Sequence, residues 1–90
     1  MIHLSGQLIC TDDQQAATVR DHLPDHIRLT LAEPGCLTFT VTQTADPLIW
    51  QVDESFTDQA AFDTHQARTR TSAWYQKTAP IARAFQIRQD

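Results

Sequence analysis

Between Trp50 and His65 the spacing of apolar residues changes once, from a period of two to a helical period, with almost no chain between the two. Trp50, Val52, Glu54 and Phe56 alternate with Gln51, Asp53 and Ser55, the mark of a half-buried strand. Thr57 is placed to cap a helix, with Asp58 in its first turn where the helix dipole favours a carboxylate. Ala61, Phe62 and His65 then share one side of that helix. A strand running straight into a helix brings both inner faces to one core, and a titratable ring sits one turn beyond a core aromatic. His65 is therefore either a buried histidine with a hydrogen-bond partner or a residue that looks into a pocket.

The rest of the chain supplies the partners of this unit. Ile2 to Cys10 reads as a first strand, with Ile2, Leu4, Leu8 and Cys10 on one face and Gly6 marking a bulge or a close approach. Thr11-Asp12-Asp13 caps a long helix whose apolar stripe is Ala16, Val19, Leu23, Ile27 and Leu31. Pro24 removes one backbone hydrogen bond, but the stripe continues through it and predicts one bent helix. Glu33-Pro34-Gly35 stops that helix. Cys36 to Gln43 is a second strand, with Leu37, Phe39 and Val41 facing the core and Thr38, Thr40 and Thr42 facing away. The turn Ala45-Asp46-Pro47 joins it to the third strand as an antiparallel hairpin. Ser72 to Lys77 is a short helix ended before Pro80, and Arg83 to Arg88 is a last strand with Phe85 and Ile87 turned inward.

The order is βαββαβ with one extra helical turn. Right-handed crossovers fold this as an α+β, ferredoxin-like domain: an antiparallel four-stranded sheet in strand order 4-1-3-2, helices on one face, spanning residues 1–90 as a single domain. The second sheet face, with Thr38, Thr40, Thr42, Gln51, Asp53 and Gln86, is polar and uncovered; two such sheets meeting face to face would close a small barrel. A chain of 90 residues buries only ~60% of its unfolded surface, so a homodimer is expected. The net charge of −4 argues against nucleic acid or an anionic membrane as partner. No apolar run approaches the ~18 residues that cross a bilayer. Met1 to Cys10 lacks the pattern of a signal peptide, so the expectation is a cytoplasmic protein with Cys10 and Cys36 as free thiols. Cys10 and Cys36 would lie two strands apart, about 10 Å, too far for a disulfide.

Several residues carry chemistry in this pattern, each with a plain alternative. His65 exchanges a proton near neutrality or is a core histidine tied to a backbone carbonyl. Glu54 stands on an apolar strand face and needs a partner: His65, an arginine, or water. Trp74 and Tyr75 suit the mouth of a pocket for a flat ring, or are satellite core. Arg68, Arg70, Arg83 and Arg88 are mostly expected to be solvated, or one of them stabilises a phenolate or superoxide. His22 and His26 stand at i, i+4 with Pro24 between them and no third ligand, so they too are expected to be solvated rather than metal-bound.

Two stretches together resemble the antibiotic biosynthesis monooxygenase family of small dimeric α+β barrels. They are Glu33-Pro34-Gly35-Cys36-Leu37 after the first helix, and Glu54-Ser55-Phe56 running into Asp58-Gln59-Ala60-Ala61-Phe62-Asp63-Thr64-His65. Their order and spacing fit over nearly the whole chain. The resemblance implies oxidation of a small phenol, quinol or enol by molecular oxygen. The haem-degrading branch of this fold needs an Asn-Trp-His set. This sequence has no asparagine, His65 stands about where that branch has its tryptophan, and Tyr75 lies near where its ligating histidine would be. The resemblance therefore points to the branch that uses neither metal nor organic cofactor. In that reading His65 is the base, Glu54 orients it, and Phe62, Trp74 and Tyr75 contact the substrate. The rival is a non-catalytic dimeric barrel that binds a small apolar ligand or serves as an interaction module. The two differ in whether His65 presents a free ring nitrogen to a polar pocket wall or is tied to backbone in a packed core.

Overall fold

A computed structural model describes all 90 residues. The chain runs β1 (Ile2–Ile9), α1 (Asp13–Leu31), β2 (Cys36–Gln43), β3 (Ile49–Phe56), α2 (Gln59–Arg70), α3 (Ala73–Thr78) and β4 (Ala82–Gln89). The strands form one antiparallel sheet in the order β2-β3-β1-β4, the expected ferredoxin-like arrangement. β1 and β3 are the two central strands. Their inward residues Ile2, Leu4 and Leu8 stand opposite Phe56, Glu54 and Trp50, all buried. Asp46 builds the β2–β3 turn by accepting from the Leu48 amide at 2.9 Å. Gly6 marks a close approach: a Cβ there would lie 2.1 Å from the Ala84 carbonyl oxygen on β4.

The helices cover one face. α1 is capped by Asp12, whose carboxylate accepts from the Gln15 amide, and it passes through Pro24 as one element. Its buried residues are Ala16, Val19, Leu23, His26 and Thr30. The stripe thus keeps its three-four alternation and turns onto His26 and Thr30 rather than Ile27 and Leu31. Leu31 is 54% exposed and Ile27 only partly buried, and the expectation of a solvated His26 is corrected by the same shift. α2 is capped by Asp58, not Thr57, with the Asp58 carboxylate accepting from the Ala61 amide at 2.8 Å.

Two inward assignments fail at the sheet edges. A bulge between Cys36 and Thr38 leaves Leu37 without a partner on β3, so its side chain leaves the core and is 47% exposed. Ile87 lies on the helix face of β4, but the helices lie over β2 and β3 and leave it 57% exposed. Phe85, further along β4, is partly buried against the core.

Gly35 fixes the placement of α2. A Cβ at Gly35 would sit 2.3 Å from the Ala61 Cβ, and the Gly35 carbonyl accepts from the Thr57 amide at 2.9 Å. Only glycine lets the end of α1 press this closely onto α2. The same approach carries Glu33, two residues earlier, against the inner side of α2 where His65 stands. No helix is long and apolar enough to cross a membrane.

Candidate active site

His65 and Glu54 come from the two halves of the strand–helix unit. On β3, Glu54 faces the helices between Leu4 of β1 and Phe39 of β2, so the carboxylate emerges among apolar neighbours. His65 is 2% exposed, and its ring packs 4.8 Å from that of Phe56. Its Nδ1 lies 2.7 Å from Glu33 Oε1. A carboxylate accepts and does not donate, so Nδ1 carries the hydrogen and Nε2 keeps its lone pair. Nε2 stands 3.5 Å from Glu54 Oε1 and 3.5 Å from the Thr69 hydroxyl. The Glu54 distance satisfies an ion-pair limit but not a hydrogen bond, and Oε1 is left without a hydrogen-bond partner. Glu33, rather than Glu54, makes the short bond to the ring, while Glu54 stands at the opposite nitrogen, which has only the long Thr69 contact.

Glu33 is itself held. Arg68 on α2 lies 3.4 Å from Glu33 Oε1 and donates to the Thr30 hydroxyl at 2.9 Å. Arg68, expected to be solvated, instead belongs to a chain that runs Thr30, Arg68, Glu33, His65 and stops at Nε2.

The surroundings push both proton-carrying groups towards their neutral forms. Burial, and secondarily the charge of Glu33, raises Glu54 from 4.5 to about 7. Burial lowers His65 below 6.5, against the hydrogen bond and charge of Glu33, which act to raise it. With two interacting groups this close, the proton belongs to the pair. A carboxylic acid that titrates near neutrality beside a neutral imidazole is a proton-transfer device, because each group can hold or release a proton at working pH.

Both groups border a cavity of about 280 Å³ between the helices and the sheet, also lined by His26, Trp74, Tyr75 and Arg83. The volume lies at the small end for ligand pockets and suits about one aromatic ring with its substituents. Trp74 is 7% exposed and stacks flat on His26, with ring centroids 4.7 Å apart and planes 2° from parallel. Tyr75, 40% exposed, stands at the mouth. His26 is neutral over the whole working range: burial first, then the charges of His65, Arg68 and Arg83, lower it to about 3. Its Nδ1 has no partner.

Four of the five residues singled out in the sequence, His65, Glu54, Trp74 and Tyr75, thus line one cavity. Phe62 does not. It is 5% exposed, meets Phe56 edge to face at 5.5 Å, and belongs to the core behind His65. Glu33, His26 and Arg83 were missed as site residues. Arg83 had a legible signal, since the alternation with Phe85 places it on the inward face of β4.

The Glu33-Pro34-Gly35 turn against α2, with the carboxylate on His65, ties together the two stretches that carry the family resemblance. The sequence profile of the antibiotic biosynthesis monooxygenase family matches residues 1–77. The chain belongs to the antibiotic biosynthesis monooxygenase family. No curated protein matches it. Among solved structures it is similar to a Nitrosomonas europaea protein provisionally named an antibiotic biosynthesis monooxygenase, at 19% identity and a TM-score of 0.81, covering 100% of this chain and 98% of that one. It is also similar to SnoaB of Streptomyces nogalater, described as a cofactor-independent oxygenase, at 11% identity and a TM-score of 0.81, covering 99% of this chain and 91% of SnoaB. A third, Rv0793 of Mycobacterium tuberculosis, has 20% identity and a TM-score of 0.77, covering 99% and 93%. At these identities the likenesses establish the fold that family members share.

Proposed function

We propose that this protein is a cofactor-independent monooxygenase that oxidises a small phenol, quinol or enol with molecular oxygen, and that it works in the cytoplasm as a homodimer of single-domain chains. The observation that carries the reading is the divided environment of His65. Nδ1 is tied to a side-chain carboxylate at 2.7 Å, while Nε2 has only a long 3.5 Å contact with the Thr69 hydroxyl, and His65 borders the cavity. A ring tied to backbone in a packed core would have favoured a non-catalytic barrel.

The chemistry follows from what oxygen needs. Triplet oxygen reacts slowly with closed-shell organic molecules, but an electron-rich anion can pass it one electron. In the competent form His65 is neutral and Glu54 ionised. His65 Nε2 takes the substrate's proton, and the imidazolium formed lies between the carboxylates of Glu33 and Glu54. The substrate anion transfers one electron to oxygen, giving a substrate radical and superoxide. The two combine as a peroxide anion at a carbon that still bears hydrogen, and the His65 imidazolium returns its proton to give the hydroperoxide. Loss of water leaves a carbonyl, so one oxygen atom enters the product and the other leaves as water. The protein's share is to remove the proton, exclude bulk water and hold the reactants together.

The uncovered sheet face is where a second copy would close the barrel, and light scattering should give about twice the 10.2 kDa chain mass. The function itself is tested with an oxygen electrode and a panel of dihydroxyaromatics. Enzyme-dependent uptake, with one labelled atom from ¹⁸O₂ in the product, supports the reading. No uptake above the uncatalysed rate with any single-ring quinol rejects it.

A further inference from the structure

The charge that lines the cavity has the opposite sign to that of the chain as a whole. Arg70 and Arg83 both border it, and neither has a carboxylate within 4 Å. The only acidic residue in its wall is Glu54, on the far side at the His65 nitrogen. The chain carries a net −4, yet its acidic residues do not supply these two arginines with partners.

Arg83 is the more telling of the two. It is half-buried, and burial lowers its pKa below the ordinary arginine value. A partly buried guanidinium without a counter-charge is costly unless something neutralises it. Nη1 donates to the carbonyls of Thr78 and Ile81 at 2.8 and 3.0 Å, and Nη2 donates to the Thr78 hydroxyl at 2.8 Å. These neutral acceptors at the end of α3 hold the side chain in one place. They leave the hydrogen on Nε and the second hydrogen on Nη2 without acceptors. These lie along one edge of the guanidinium plane, the edge that takes a carboxylate through two parallel bonds. Other cations without partners, Arg20, Lys77 and Arg88, are exposed to water and do not line this cavity.

We propose that the cavity's ligand is an anion: a single-ring phenol or quinol bearing a carboxylate, received by the free edge of Arg83 with Arg70 at the mouth, its hydroxyl turned towards His65 and Glu54. This rests on the oxidation reading for the hydroxyl's fate but not for the binding. The stacked Trp74–His26 pair supplies the flat wall, and the volume of about 280 Å³ accommodates a single substituted ring. A carboxylate at Arg83 and a hydroxyl at Nε2 would orient the ring from both ends.

The test separates binding from turnover by working without oxygen. The wild-type protein is titrated with 2,5-dihydroxybenzoate and with 2,5-dihydroxybenzamide, which share shape and hydroxyls and differ in charge. Affinity is read from the Trp74 indole and His26 ring NMR signals. The expected result is at least about tenfold tighter binding of the acid, as charge-assisted bidentate bonds provide. The preference should fall in both Arg83→Lys, which keeps charge without the fork, and Arg70→Gln, which leaves the Thr78 contacts intact. Equal or tighter binding of the amide, an acid preference unchanged in both variants, or no binding of either compound overturns the proposal. An acid preference without oxygen uptake upholds it and rejects oxidation; uptake with neutral quinols alone upholds oxidation and rejects it.

Discussion

The two faces of the sheet carry much the same kinds of polar atoms and do opposite things with them. On the open face His3, Ser5, Thr38, Asp53, Gln86 and Arg88 border a hollow of about 560 Å³, twice the volume of the helix-side cavity. Several of its groups pair locally: Ser5 donates to Asp53 at 2.9 Å, and Thr38 shares a 2.6 Å hydrogen bond with Ser55. Under the helices the titratable groups Glu54, His26 and His65 are buried. There Glu54 is raised to about 7, His26 lowered to about 3, and His65 held tightly by one nitrogen, at 2.7 Å, and loosely by the other, at 3.5 Å. Volume alone would choose the open face. Reactivity follows burial, because desolvation raises the Glu54 carboxyl to about 7 and favours the neutral, proton-accepting form of the His65 ring.

Substitutions under the helices should therefore change chemistry, and those on the open face should not. The largest effect is expected at His65. His65→Gln keeps polarity and approximate size but accepts no proton at a useful pKa, so turnover should fall by ~10²–10⁴ with the circular dichroism spectrum unchanged. Turnover within a factor of two of wild type would remove His65 from the mechanism, and an unfolded variant would make it a structural residue. Glu33→Leu should follow with a loss of roughly ten- to a hundredfold, since His65 loses both its orienting acceptor and the charge that stabilises its protonated form. The readout that separates this from mere loosening is the pH–rate profile, which should move to lower pH.

Glu54 sharpens the comparison through stability. Its pKa is 4.5 unfolded and about 7 folded. The folded chain therefore binds the proton more tightly, the contribution to stability is complete below 4.5, and it is lost as pH rises through about 7. At pH 8 the fold carries a buried carboxylate at a cost on the order of 3 kcal/mol. Glu54→Gln should be more stable than wild type at pH 8 by on the order of 1–3 kcal/mol in urea titrations, with the gap closing by pH 5. The substitution should also remove the limb of the rate profile near pH 7. A variant no more stable than wild type at pH 8 would mean that Glu54 is solvated. The smallest effect is expected from Ser5→Ala on the open face, with turnover and its pH profile unchanged within about twofold; a tenfold loss would move the chemistry to the wrong side of the sheet.

The strand order, the hairpin and the strand–helix unit were legible because alternation and helical spacing report which residues face a common core. The edges were less so. Leu37 obeys the alternation of β2 but sits on a bulge, which only pairing with β3 creates. His26 fits the stripe of α1 as well as Ile27 does, and the choice depends on the stacking partner Trp74, nearly fifty residues later. Glu33 was readable as the end of a helix and not as His65's partner, because their contact passes through Gly35 pressed on Ala61. Long-range carboxylate–imidazole pairs leave no periodic trace, whereas Arg83 did, through its alternation with Phe85.

The central claim is that Glu33 holds His65 so that an unprotonated Nε2 faces the cavity. The most direct measurement is a ¹⁵N NMR titration of the His65 ring in the wild-type protein. The account predicts hydrogen on Nδ1, an unprotonated Nε2 at pH 8, and a pKa below the ordinary 6.5. Hydrogen on Nε2 at pH 8, or a pKa above 6.5, would contradict it.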